Sequence, residues 1–155
     1  MITKTIKYTD FNGVKRTEEH NFHLSEMDII KLNKEYGDAG LQGQFNEIID
    51  LEKAGKTQEA GILGLETLQV IIRASYGIKS EDGRRFAKKD KDGNLYADGF
   101  METEAYTTLL MDLAQDPGAA ETFMNNIISS SLQKKVAALE SENAIPMPKT
   151  SKKKK

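Results

Sequence analysis

The most apolar helix candidate, TQEAGILGLETLQVIIRASYG at residues 57–77, limits most strongly what this chain can fold into. Its apolar side chains recur at steps of three and four residues, which places them on one face of an α-helix. That face is formed by Ile62, Leu65, Leu68, Ile72 and Tyr76, and the rest of the circumference is largely filled by Leu63, Val70, Ile71 and Ala74. A helix that is apolar nearly all round has little surface to give to solvent. We therefore predict that the residues after Thr57 form the central core helix.

The stretch contains three glycines. Gly61 and Gly64 each cost up to about 1 kcal/mol relative to alanine inside a helix, a cost that close packing of a neighbouring backbone would offset. Gly77 stands where a left-handed residue commonly ends a helix, so we expect a C-terminal cap there. A turn at residues 81–83 then leads into a basic pair and an aromatic residue at 84–86.

The composition indicates one globular domain with a core. The 155 residues are 38% hydrophobic, and 22 basic against 24 acidic residues give a net charge of -2. Such a balance provides no general attraction to nucleic acid or to an anionic membrane. No apolar run approaches the roughly 20 residues that a membrane helix needs, and MITKTIKYTD lacks the apolar core of a signal peptide. With no cysteine, disulfides, thiolate nucleophiles and thiolate metal sites are excluded, and a reducing cytoplasm is expected.

Residues 2–9 alternate between apolar and polar side chains, which predicts a half-buried β-strand. The DFNG turn at 10–13 leads to a second strand through one of two loops. A two-residue Asn-Gly loop would turn Phe22 away from Ile2, whereas a three-residue loop with Gly13 left-handed would pair them. Because a one-residue slip turns every side chain over, the apolar pattern favours the three-residue loop. The predicted pairs are Asp10 with Val14, Ile2 with Phe22, Ile6 with Glu18 and Tyr8 with Arg16.

Capping signals predict the helices that flank the core helix. Ser25 followed by Asp28 is an acidic variant of the capping box, and the predicted apolar stripe of that helix is Met27, Ile30 and Tyr36. Residues 37–43 are predicted to form a Gly- and Asp-rich loop. A second helix, marked by Phe45, Ile48, Ile49 and Glu52, is predicted to end at Gly55.

Two further caps follow the core helix. Thr103 is predicted to cap a helix whose stripe is Tyr106, Leu109, Leu110 and Leu113. Asp116 followed by Pro117 is typical of a new helix start, and its predicted buried face is Ala120, Phe123, Met124, Ile127 and Ile128. A last short helix carrying Leu132, Val136 and Leu139 would be marginal alone and would need a partner surface.

The sequence thus predicts an α+β fold, mostly α-helical, in which an N-terminal β-hairpin (2–24) packs on about five helices. Residues 78–102 are polar, turn-rich and without clear periodicity, so we expect a functional or mobile loop anchored by its few apolar residues. We predict one domain at 1–140, with a helical body from residue 25. We predict that residues 141–155 form a flexible, disordered tail, because proline blocks helix there and the lysine run repels itself.

The sequence contains only weak signals of metal binding or catalysis. KKDKDGNLYADG places Asp90, Asp92 and Gly93 as in a calcium-binding loop, but Lys88 stands at its first position and Gly99 at its twelfth, so an Asp-Gly turn is favoured. His20 and His23, three apart on a strand, should point to opposite faces and cannot share a metal. No nucleophile elbow, phosphate loop or dinucleotide motif occurs. We expect no catalytic residues, no metal, no cofactor and no enzymatic activity.

Basic residues form two clusters, at 84–91 and at Lys152–Lys155. Either could contact phosphate, which would suit a nucleic-acid-binding regulator, but acidic residues dilute the first cluster and the whole chain is acidic. Arg73 lies in the core helix, where an edge position or an ion partner, for example an acid from the following turn, would accommodate it.

Two strings carry a resemblance. TKTIKYTDFNGVKRTEEHNFHLSE at the N-terminus and ASYGIKSEDGRRF at the end of the core helix, followed by TEAYTTLLMDLA, resemble the tail assembly chaperones of long-tailed (siphovirus-type) bacteriophages and prophages. The resemblance covers roughly residues 2–130. Its most specific positions are interpreted as turn and packing residues without catalytic chemistry. They are Tyr8, Asp10, Asn12, Gly13, Tyr76, Gly77, Ser80, Asp82, Gly83, Arg85 and Phe86.

The resemblance implies a small protein of the host cytoplasm, absent from the finished virion, that coats the tape measure protein and helps recruit tail tube subunits. It implies no membrane or nucleic-acid partner and leaves self-association open. Related phages also make a longer form by ribosomal frameshifting, and Lys152–Lys155 suggests a slippery adenine-rich stretch. The candidate partner-binding residues, each with ordinary core packing as its alternative, are Phe100, Met101, Leu132, Val136 and Leu139. A structural tail or connector protein retained in the virion is the alternative function.

Overall fold

The structure, a computed structural model, describes residues 1–127. Within that part, strands and helices follow one another as β1 (Ile2–Thr9), β2 (Lys15–Phe22), α1 (Glu26–Glu35), α2 (Gly40–Lys53), α3 (Thr57–Ser75), β3 (Tyr76–Lys79), β4 (Phe86–Ala87), α4 (Tyr96–Phe100), α5 (Glu104–Gln115) and α6 (Pro117–Ile127). The predicted α+β, mostly helical class is confirmed. No described helix is long and apolar enough to cross a membrane. The predicted helix at 132–139, the tail and the boundary at residue 140 lie outside the described residues.

The N-terminal hairpin has the predicted register. Ile2 pairs with Phe22, Ile6 with Glu18 and Tyr8 with Arg16. The loop is the three-residue one, since the Asp10 N–H donates to the Val14 carbonyl at 2.9 Å and Gly13 has φ +81°. Ile6 and Phe22 therefore share the buried face. Thr3, Thr5, Lys7 and Thr9 of β1 lie on the opposite, exposed face, whereas Lys4 is half-buried on the face of Ile6.

The sheet is larger than the sequence indicated. It has four antiparallel strands in the order β1-β2-β3-β4, because the chain leaving α3 pairs with β2 at Phe22 and Tyr76. The predicted loop at 78–102 is therefore wrong in part: it contains the second half of β3, the short strand β4 and helix α4. Its closely spaced turns hide any helical or strand periodicity. The start of β3 depends on the pairing of Tyr76 and Gly77 with β2, about 55 residues earlier in the chain, which no local pattern reveals.

The prediction that Gly77 caps α3 is wrong. The neighbouring Tyr76 ends the helix in an extended conformation, φ -68° and ψ 139°, and Gly77 continues into β3. A Cβ at this position would clash with the Phe86 ring and lie 2.7 Å from the Ala87 carbonyl oxygen. The glycine is needed because β4 approaches the backbone of β3 closely.

The predicted starts of α1, α5 and α6 are confirmed, whereas the predicted loop at 37–43 is wrong from Gly40 onward. Ser25 and Asp28 form a reciprocal capping box, the Thr103 hydroxyl accepts from the Tyr106 N–H, and the Asp116 carboxylate accepts from the Gly118 N–H. Helix α2 begins at Gly40, inside the predicted loop. Its start is capped from α1, because the Asn33 side-chain oxygen accepts from the Leu41 N–H at 2.8 Å.

The predicted face of α1 is wrong at Met27 and Ile30, whereas Tyr36 packs against the core as predicted. Met27 and Ile30 are 57% and 59% exposed, while Ile29 and Leu32 face the core. Four apolar residues within six positions offer two stripes with helical spacing, and the sequence does not distinguish them. The structure buries the stripe that continues from Leu24.

Helix α3 is central only in its second half. Ile71 and Ile72 are fully buried, whereas Ile62 is 51% exposed and Leu65 only half-buried. An added Cβ at Gly61 or Gly64 would meet nothing within 4 Å, so no closely packed backbone offsets the cost of these glycines. Helix α3 packs on α2, and the Gln44 side-chain amide of α2 donates to the Thr67 hydroxyl of α3 at 3.2 Å.

Candidate functional site

The residues of the two resemblance strings build tight turns. In the first, the Asp10 carboxylate accepts from the N–H groups of Asn12 and Val14, both at 2.9 Å, and from the Arg16 guanidinium at 2.6 Å. These donors lower the pKa of Asp10, the Arg16 contribution being the largest. The turn is therefore held by its own aspartate, as expected for an Asp in this position.

The second string forms a similar turn between β3 and β4. The Ser80 hydroxyl donates to Asp82 at 2.7 Å and accepts from the Arg85 N–H at 3.0 Å. Asp82 also accepts from the Arg84 N–H, and Gly83 has φ +75°. The predicted turn and packing roles of these residues are compatible with this geometry, and the turn exposes its basic side chains to solvent.

The calcium-like segment is a third turn of the same kind. Asp90 accepts from the N–H groups of Asp92 and Asn94, both at 2.9 Å, and Gly93 is left-handed. Both hydrogen bonds go to one oxygen of the Asp90 carboxylate, which therefore holds the backbone of the turn. This geometry agrees with the Asp-Gly turn interpretation. Among the described residues no group of three His, Cys, Asp or Glu side chains could hold a metal ion.

A polar network connects the hairpin to β3. Tyr8 donates to Glu18 Oε1 at 2.8 Å, and the same oxygen lies 3.3 Å from His20 Nε2. His20 Nδ1 lies 3.0 Å from the Tyr76 hydroxyl. Burial lowers the pKa of His20, although the Glu18 carboxylate opposes this effect. A neutral imidazole that donates from Nε2 and accepts at Nδ1 satisfies both neighbours.

Phe100 belongs to the aromatic core. It is 4% exposed, stacks on Tyr76 at a centroid distance of 4.3 Å and contacts Phe22 edge to face. Its buried position does not leave it accessible to a partner, so the core alternative holds for this residue. Met101 is half-buried against the same core. Leu132, Val136 and Leu139 lie outside the described residues.

His23 points away from this network. Its ring packs on Phe86, and its Nδ1 is buried without a hydrogen-bond partner within the described chain. Burial lowers its pKa, and the positive charges of the N-terminus and Lys88 add to the shift. The two histidines therefore have separate environments, as their spacing predicted.

Lys88 connects three elements. Its ammonium donates to Asp28 of the capping box at 2.9 Å and to the Ala74 carbonyl near the end of α3 at 2.6 Å. Burial opposes ionisation of Asp28, but the Ser25 N–H and the Lys88 ammonium outweigh it and lower the pKa of that carboxyl. The segment after β4 is thereby attached to α1 and α3.

A cleft of about 640 Å³ opens beside this contact, between α1, α3 and the turn at 89–95. Leu32, Val70, Ala74 and Leu95 contribute apolar surface, and charged side chains form the walls. Arg73 on the rim is paired with Asp98 of α4 at 3.0 Å, which identifies the partner that the sequence left open. A smaller depression of about 390 Å³ lies on the other side of α1, where Ile30 lines it.

Helix α1 thus carries apolar residues on its outer surface between two concave regions. Met27 and Ile30 are one helical turn apart and lie on the same side of the helix. A second exposed apolar pair, Phe11 and Val14 at 77% and 51% exposed, lies at the hairpin tip. The α1 surface was not predicted, because the apolar pattern assigned Met27 and Ile30 to the core. A second stripe with equal spacing was the signal that could have revealed it.

A family model described as phage tail assembly chaperone matches residues 1–154 of the chain. The match includes both turn strings, the cleft and the outer surface of α1. No curated protein and no solved structure gives a significant match.

Proposed function

Because the chain belongs to the phage tail assembly chaperone family, as the resemblance predicted, we propose that it binds the tape measure protein of its phage and keeps that protein soluble. In this proposal it also helps to recruit tail tube subunits during tail morphogenesis. Chaperones are generally non-enzymatic, and the proposal requires no catalytic residue or cofactor. The partners of a tail assembly chaperone are phage tail proteins, and the tape measure protein is the one we propose for direct binding.

The observation that carries the proposal is the outer surface of α1. Met27 and Ile30 are more than half exposed, although apolar side chains of a monomeric domain gain free energy from burial, about 25 cal/mol per Å². A methionine side chain adapts to partners of different shape. The pair lies beside the smaller depression, which Ile30 lines, and it provides a surface on which an apolar helix face of a client can pack.

Co-expression with the tape measure protein of the same phage tests this function. We expect the tape measure protein to remain soluble and to co-purify with the chain. If the tape measure protein precipitates while the chain stays monodisperse, this form does not suffice. Repeating the experiment with a frameshift-extended form then decides between a requirement for that form and failure of the proposal.

The proposal places the protein in the host cytoplasm and outside the mature virion. Mass spectrometry of purified particles separates it from a structural tail or connector protein. A chaperone should be depleted relative to stoichiometric tail proteins, whereas a connector should be present at a fixed copy number.

The longer form is a proposal about the gene. Lys152–Lys155 can be encoded by a run of adenines on which ribosomes slip, so we expect a slippery heptamer there and a second reading frame open beyond it. Mixed lysine codons without such a heptamer, or an immediate stop in the second frame, would contradict it.

A further inference from the structure

The cleft beside α1 combines an apolar floor with an excess of positive charge. Its apolar part is provided by half-buried Val70, Ala74 and Leu95. Its volume of about 640 Å³ lies in the range of about 300–1,000 Å³ that is common for ligand sites. The cleft is therefore large enough for several side chains.

The charges of the cleft are only partly balanced within the protein. Lys88 is paired with Asp28 at 2.9 Å, and Arg73 is paired with Asp98. The other two cations that line the cleft, Lys31 and Lys89, form no ion pair with any residue from 1 to 127. Glu35 is the remaining carboxylate of the lining, and its charge balances only one of the two. The cleft is thus net positive on a chain whose net charge is -2.

The walls limit the class of ligand. A compact anion such as phosphate would approach the carboxylates of Asp28 and Glu35 as well as the lysines, and it would leave the apolar floor uncovered. An extended partner that brings apolar side chains and separate carboxylates would cover the floor and meet Lys31 and Lys89 individually. Charge complementarity of this kind contributes mainly to specificity and association rate.

We propose that the cleft binds an amphipathic helix whose apolar stripe is flanked by Asp or Glu residues. The wall from Asp28 to Glu35 comprises eight residues, and the seven steps between them correspond to about 10 Å or two helical turns. A partner helix of that length presents three or four apolar side chains at helical spacing. This inference deepens the proposed function and rests on it for the identity of the partner, a segment of the tape measure protein.

Two synthetic peptides test the cleft without the tape measure protein. Both have about 18 residues, five helical turns, and the same leucine stripe, flanked by glutamates in one and by lysines in the other. Fluorescence anisotropy with the full chain should show the acidic peptide binding about tenfold more tightly than the basic one. The affinity of the acidic peptide for the full chain should fall when the salt concentration is raised to about 0.3 M.

Charge-reversal variants locate the binding. Lys31→Glu combined with Lys89→Glu should weaken binding of the acidic peptide about tenfold. Lys7→Glu combined with Lys15→Glu changes the net charge equally on the exposed face of the hairpin and should leave binding within about twofold of wild type. Circular dichroism verifies that both variants are folded. Equal binding of the two peptides, or equal loss in the two double variants, would overturn the inference.

The two proposals fail in different experiments. If the Lys31→Glu/Lys89→Glu variant solubilises the tape measure protein as well as wild type and the acidic peptide does not bind, the cleft inference is wrong and the proposed function stands. If the acidic peptide binds in the cleft but wild-type protein does not solubilise the tape measure protein in either form, the proposed function is wrong.

Discussion

At the residue scale, Gly77 is a position in the sheet where a side chain does not fit. Gly77→Ala would place a Cβ against the Phe86 ring and 2.7 Å from the Ala87 carbonyl oxygen. We expect the free energy of unfolding to fall by about 1–3 kcal/mol, as for other overpacked sites. Urea denaturation monitored by circular dichroism measures this change.

Gly61 provides a matched control for that substitution. An alanine there meets nothing within 4 Å and restores helix propensity, so Gly61→Ala should stabilise the protein by up to about 1 kcal/mol. If Gly77→Ala is neutral, or if both substitutions destabilise equally, the close approach of β4 to β3 is wrong.

The histidines predict a pH dependence of stability. Burial lowers the pKa values of His20 and His23 in the folded protein, while the unfolded chain titrates near its ordinary value of about 6.5. As the pH falls below that value, the unfolded state binds protons that the folded state binds less readily, so stability is lost. We expect the free energy of unfolding to decrease between about pH 7.5 and about pH 5.5.

Replacing His20 isolates part of this effect. His20→Gln removes one titrating group, so we expect a lower stability at neutral pH but a weaker decline toward about pH 5.5. Urea titrations at the two pH values compare the slopes. An unchanged slope in the variant would mean that His20 is protonated equally in the folded and unfolded states.

At the scale of elements, Lys88 attaches the segment after β4 to the start of α1. Its pair with Asp28 is mostly shielded from solvent, with side chains 22% and 29% exposed. A double-mutant cycle of Lys88→Met and Asp28→Asn should give a coupling energy on the order of 1–2 kcal/mol. Urea denaturation of the four proteins in the cycle gives this quantity.

The pair between Arg73 and Asp98 is the control, because its side chains are 52% and 56% exposed. Solvent screening and side-chain entropy should limit its coupling to about 0.2–1 kcal/mol. A larger coupling for this exposed pair than for Lys88 and Asp28 would contradict the attachment that we assign to Lys88.

Local signals made part of the fold predictable. The loop at Asp10–Gly13 sets the hairpin register, and Ser25, Thr103 and Asp116 each start a helix with their own side chains, so the information lies within a few residues. The buried face of α1 and the start of β3 depend on contacts with segments distant in the chain, whereas β4 pairs with the nearby β3. The two equivalent stripes of α1 give no local signal for that choice, and a two-residue strand such as Phe86–Ala87 is too short to show an alternating pattern.

The candidate site was less predictable than the fold. Lys88 and Asp28 are sixty positions apart, and the cleft joins walls from three segments that the sequence does not connect. Phe100 was an ambiguous candidate because an aromatic residue in a polar stretch suits a core anchor and a partner contact equally. Its stacking on Tyr76 resolves that ambiguity in favour of the core.

At the scale of the whole molecule, the sheet and all six described helices contribute to the core, with Leu32 from α1 and Leu41 from α2. Ring contacts within it join Phe22 to Tyr76, Phe100 and Phe123, and Tyr76 to Phe100. The exposed apolar surface of α1 and the positive cleft lie outside that core. Substitutions of the exposed residues on α1 and around the cleft should therefore change partner binding more than the free energy of unfolding.

The most direct test of the account is co-expression of the tape measure protein with two matched double variants. Met27→Glu with Ile30→Glu alters the outer surface of α1. Phe11→Glu with Val14→Glu adds the same charge to the other exposed apolar pair, at the hairpin tip. Solubility and co-purification of the tape measure protein are measured for each variant and for wild type. We predict that the hairpin variant behaves as wild type, whereas the α1 variant leaves the tape measure protein insoluble. Full solubilisation by the α1 variant, or loss with the hairpin variant alone, would contradict the assignment of the client surface to α1.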